Sequence, residues 1–101
     1  MLTEKQKLWK GYVIPDFAEL MIKQLAQHSE RGDSWKEEDP DWLLGRAKEE
    51  LEEVEGALKK LNTSLNNEHY KKRLKYVAKE CADVSNFMMM IVDSIDDCHR
   101  I

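Results

Sequence analysis

"PDWLLGRAKEELEEVEGALKKL" occupies residues 40–61. Leu43, Leu44, Ala47, Leu51, Val54, Leu58 and Leu61 trace one apolar stripe through it, at the spacing of an α-helix rather than a strand. Asp39 and Pro40 form its opening: a side chain suited to the N-cap, then the residue best suited to the first turn. Working outward, "NTSLNN" (62–67) breaks the pattern with turn and cap formers. A last helix then runs from Glu68 to Asp97, about 45 Å at ~1.5 Å per residue. On the other side, "GDSWKEED" (32–39) reads as a loop. Before it, Pro15-Asp16 offers a start and Gly32 a stop, with Phe17, Leu20, Met21, Gln24 and Leu25 at helical spacing between them. Residues 1–13 are an N-terminal arm and 14–101 a single helical domain. There is almost no strand signal. The expected fold is all-α, a helical bundle.

Bulk properties exclude several functions. The net charge of −4 lacks the basic surface expected of a dedicated nucleic-acid binder. The longest apolar run is the six residues 87–92, far short of the ~20 that span a bilayer, so no membrane role is expected. No apolar segment of signal-peptide length opens the chain, and a cytoplasmic setting is the default. Cys81 and Cys98 form no CxxC pair and call for no disulfide. A domain of 101 residues buries about two-thirds of its unfolded surface, so a partner subunit would add burial. Met88, Met89 and Met90 span more than half the helix circumference, which points to burial on several sides, as in a homodimer or homotetramer.

The acids are placed unevenly. On a helical wheel centred on Ala47, Glu50 lies at the edge of the apolar stripe, with Glu53 and Glu49 beyond it on the same shoulder. In "KECADVSNFMMMIVD" (79–93), Glu80 and Asp83 are three residues apart and point to one spot at the mouth of the most apolar segment. An acidic helix face is most often solvated, and either pair alone is weak. If the two helices pack side by side, however, four carboxylates converge. Each like-charged contact at ~4 Å costs about 4 kcal/mol at an effective dielectric of ~20, so a cation or protons must relieve it. Oxygen ligands without Cys or His suit Mg²⁺, or Mn²⁺, rather than zinc. The Glu-x-x-His motifs of a di-iron carboxylate bundle are absent.

Glu50-x-x-Glu53, 26 intervening residues and Glu80-x-x-Asp83 together resemble the ExxE…ExxD signature of the MazG-like all-α nucleoside triphosphate pyrophosphohydrolases. "EELEEVEGAL" (49–58) is similar to that family's acidic helix and "KECADVSNFMMMI" (79–91) to its second motif, while "RGDSW" (31–35) resembles the loop of small members. The likeness covers residues 17 to 95; the abundance of glutamates leaves Glu49/Glu52 as an alternative register. The resemblance implies an enzyme that cleaves an NTP or dNTP between the α and β phosphates, giving the monophosphate and pyrophosphate. It implies Glu50, Glu53, Glu80 and Asp83 as ligands of Mg²⁺, and Glu49 beside them is the candidate water-orienting base.

The substrate's phosphates would need cations. Lys79, at the end of a row with Lys72 and Lys75, and Arg31 in the loop are the candidates, against the plainer reading of a solvated basic face. Trp35 is the candidate for stacking on the base, Asn86 for hydrogen-bonding base or sugar, and Phe87 for the pocket floor; Trp35 and Phe87 also suit an ordinary core. Trp9 and Trp42 read as packing residues, and His28, His69 and His99 show no ligand spacing among themselves. Two other functions stay open. One is a phosphoribosyl-ATP pyrophosphatase of the same fold. The other is a non-catalytic helical interaction module whose acids are only a rim.

Overall fold

The computed structural model describes residues 1–27 and 34–95. Every regular element among them is helical: α1 (Glu4–Leu8), a π-helical turn (Trp9–Val13), α2 (Ile14–Gln27), a 3₁₀ turn (Ser34–Glu37), α3 (Pro40–Asn62) and α4 (Asn67–Ile95). The expected all-α class is observed, and no helix is long and apolar enough to cross a membrane.

The long helices begin and end where their local chemistry dictates. Asp39 caps α3 by accepting from the Asp41 N–H at 2.8 Å, with Pro40 next in the first turn. At its other end the Arg73 guanidinium, on α4, donates to the Lys60 carbonyl at 2.6 Å, placing a cation on the negative end of the helix dipole. Asn66 opens α4, its side-chain oxygen accepting from the His69 N–H at 2.9 Å. The intervening turn is so short that α3 and α4 must run antiparallel, and they form the main interface of the chain. α2 lies on α4.

Pro15-Asp16 lies in the first turn of α2, as expected, but the helical path does not start there. The helical path begins at Glu4, where Thr3 and Gln6 form a reciprocal capping box. Proline inside a helix loses an N–H and crowds the carbonyl four residues back. Here the turn before Pro15 is π-helical, with the Ile14 N–H reaching the Trp9 carbonyl, and this lengthened turn accommodates the ring. The arm 1–13 is therefore mostly helical, although none of its residues is buried.

Two apolar clusters hold the α3–α4 hairpin together. Near the turn, Ala57 and Leu61 pack on Val77 with Cys81 alongside. At the far end Leu43 and Ala47 pack on Phe87, joined by Trp35, Met90 and Ile91. Fully burying a side chain such as Leu43 is worth roughly 1.5–3 kcal/mol. The predicted stripe is split, however. Leu43, Ala47 and Leu61 are buried and Val54 half-buried, while Leu44, Leu51 and Leu58 face outward. One α4 helix covers only a narrow strip of α3, and the broader apolar face extends past it. Trp42, on α3, is 52% exposed for the same reason, and Trp9, also expected to pack, is 47% exposed in the N-terminal arm, which buries none of its residues. Met88 is exposed and Met89 and Met90 half-buried, so a single chain does not enclose the methionine segment.

Candidate metal centre

The acidic residues lie between the two apolar clusters. Antiparallel packing that sets Ala57 against Val77 and Ala47 against Phe87 brings Glu50 opposite Glu80 and Asp83. One carboxylate oxygen from each of the three falls within 4.8 Å of the others. At that separation two full charges repel by roughly 3.5 kcal/mol at an effective dielectric of ~20. Glu53 stands at the rim of this trio. It is exposed, yet within hydrogen-bonding reach of both Glu50 and Glu80.

The environment is hostile to negative charge. Glu80 is only 7% exposed, and its Oε2 has no hydrogen-bond partner. Burial, with Glu53 and Asp83 adding to it, pushes its carboxyl up to about 7, against the opposing pull of the Tyr76 hydroxyl. The Tyr76 hydroxyl is itself shifted upward, chiefly by its hydrogen bond and charge interaction with Glu80. Burial also raises Glu50, helped by Glu53 and Asp83, while Arg46 draws it back down. A bound cation would reverse this penalty for Glu50 and Glu80. Three hard oxygen donors on two helices, with a further buried Glu80 oxygen without a partner, could hold a hard divalent cation such as Mg²⁺ or Mn²⁺.

Among the described residues, Arg46, which the sequence reading passed over, is the cation paired with these acids. Its guanidinium pairs with Glu49 through Nη1, lies 3.7 Å from Glu50 through Nη2, and sits 5.6 Å from the centroid of the Phe87 ring. Glu49 is thus engaged at the outer side of the site, and Phe87 belongs to the apolar cluster beneath it. The spacing of Arg46 ahead of Glu49 and Glu50, i to i+3 and i+4, was the available signal.

A second set of residues ties α2 to the site. Gln24 is buried and donates from Nε2 to Asp83 Oδ1 at 3.1 Å. Asn86, also buried, donates from Nδ2 to the Met21 carbonyl at 3.0 Å. The Asn86 amide therefore braces α2 against α4, and its Oδ1 meets no donor among the described residues. Trp35 is half-buried on the Leu43 cluster, and its indole N–H donates to Asp93 Oδ2 at 3.0 Å. Its ring is fixed at the end of the hairpin rather than standing free in a loop. Lys79 is exposed and makes no ion pair with Asp83 among the described residues; Lys72 and Lys75 are likewise exposed. Arg31, His28, His99 and Cys98 fall outside the described residues.

No protein-family profile, curated protein or solved structure matches the chain.

Proposed function

We propose that the protein is a Mg²⁺-dependent nucleotide pyrophosphohydrolase that cleaves an NTP or dNTP between the α and β phosphates. The observation that carries the reading is the meeting of Glu50, Glu80 and Asp83, each with a carboxylate oxygen within 4.8 Å of the others, where Glu80 also has a buried oxygen without a partner. Glu50, Glu80 and Asp83, with Glu53 at the rim, would hold Mg²⁺ or Mn²⁺. The ion, when bound, would neutralise phosphate charge and activate water for attack. Around it, this chain's residues have defined tasks. Arg46 offers a guanidinium at the edge of the acids, suited to a phosphate oxygen. The apolar clusters on either side keep the carboxylates fixed in direction. The nucleotide's base and sugar would lie toward α2 and the Trp35 end of the hairpin.

The active form in this reading is a homodimer or homotetramer. Leu44, Leu51 and Leu58 lie seven residues apart on α3, and on α4 Leu74, Met88 and Ile95 lie at multiples of that interval with Cys81 between the first two, all but Cys81 exposed. Two such antiparallel hairpins are self-complementary and would close a four-helix bundle about a two-fold axis. A cytoplasmic, nucleotide-pool role accords with the reading.

These same stripes favour a second reading, a non-catalytic helical interaction module. It expects no metal binding and full tolerance of Glu53→Gln. Turnover of the common NTPs and dNTPs with Mg²⁺, run beside that variant, separates the two. Activity in the wild type and its loss in Glu53→Gln support the enzyme; silence of both leaves the module.

A further inference from the structure

Gln24 and Asn86 share an unusual state. Each is a buried carboxamide between α2 and α4, at 5% and 3% exposure, and each has its amide nitrogen engaged. Each also has a buried oxygen, Gln24 Oε1 and Asn86 Oδ1, with no donor among the described residues. Buried polar atoms are seldom left without a partner, and a leucine at position 24 would fill the seam with none to satisfy. The two differ in what they grip. Asn86 holds a backbone carbonyl, whereas Gln24 holds Asp83, one of the three converging acids. Its free oxygen belongs to the same planar group, so the missing donor lies beside the acid cluster. The neighbouring carboxylates are acceptors when ionised and cannot supply it. Water around a divalent cation can, because it presents only hydrogens outward.

We propose that Gln24 is a positioning residue for the cation. Nε2 holds Asp83 by Oδ1, so Oδ2 would remain for the ion, and Oε1 would accept a hydrogen bond from the ion's hydration shell. Mg²⁺ gives up its water reluctantly and would keep such a shell. The inference rests on the metal reading above and adds a consequence to it. Cation binding tightens α2 against α4, so the helix over the site responds to metal loading.

Calorimetric titration with Mn²⁺ alone, on the full chain and on Gln24→Leu, tests this directly. Removal of such a supporting hydrogen bond weakens metal affinity by about 10- to 100-fold. The proposal expects at least the lower figure, with urea stability of the metal-free variant unchanged or raised. Amide exchange gives an independent readout on the wild type: Mn²⁺ should slow exchange across α2. Equal Mn²⁺ affinity in the two proteins overturns the role of Gln24 while leaving the metal site standing. So does α2 exchange that ignores Mn²⁺, which decides the matter even if the variant does not fold. A wild type that binds no Mn²⁺ overturns the metal reading and this inference together.

Discussion

Arg46 stands over Phe87 at 5.6 Å from the ring centroid while its Nη2 lies 3.7 Å from Glu50. One guanidinium thus joins the apolar floor to the acid cluster. Without metal it is the only described cation set among the converging carboxylates. Arg46→Met keeps the stem but removes the charge. It should cost about 1–2 kcal/mol at pH 8, from the lost cation–π contact and the half-buried ion pairs. Urea unfolding of the metal-free protein measures this.

The pH dependence of metal-free stability follows from Glu80. Its folded-state carboxyl is raised from 4.5 to about 7, so the folded chain holds the proton more tightly than the unfolded chain. Stability is therefore greatest below about 4.5 on this account and falls as pH rises toward 7. Glu50 is shifted in the same direction and adds to the trend. At ~1.36 kcal/mol per pKa unit, the Glu80 contribution is on the order of 3 kcal/mol. Thermal melts of the metal-free protein should drop by several degrees between pH 5 and pH 8. Mg²⁺ should restore the loss at pH 8 and do less at pH 5, where Glu80 already holds a proton.

Glu80→Gln separates stability from function. It removes a buried charge while nearly keeping the shape, so the metal-free protein should be as stable or more stable at pH 8. Metal binding should weaken, and turnover should fall by about 100-fold or more. A variant that is destabilised at pH 8 yet fully active would show that Glu80 is a structural acid.

The exposed stripe makes its own claim. Leu51 is 56% exposed in the single chain, at the middle of the Leu44–Leu58 row. The radius of gyration, 15.9 Å, exceeds the ~13 Å of a compact 100-residue domain. Light scattering should give a dimer or tetramer for the wild type and a monomer for Leu51→Glu. A monomeric wild type contradicts the assembly.

Much of this was legible in the sequence because it depends on local rules. The Asp39-Pro40 opening, the turn at 63–66 and the placing of Glu50 on one shoulder and of Glu80 with Asp83 on another follow from caps and the helical period, while their meeting was conditional on α3 packing beside α4. Pro15-Asp16 marks the first turn of α2, but the π-turn that joins it to the helical arm has no strong sequence signal. The split of the α3 stripe was hidden as well, since periodicity shows which residues are apolar but not how many neighbours arrive to cover them. In the sequence Gln24 is one more residue at helical spacing. Its contact with Asp83 spans 59 positions, and only the docking of α2 on α4 brings the two together. Glu53 was placed on the right shoulder, but its reach beyond the seam to the exposed rim depends on a side-chain direction that a wheel does not show.

The most direct test is product analysis after incubating wild type and Glu80→Gln with each common NTP and dNTP and Mg²⁺. The account predicts nucleoside monophosphate and pyrophosphate in equal amounts from the wild type, abolished by chelation and by the variant. Diphosphate and inorganic phosphate, or no product from any nucleotide, would contradict it.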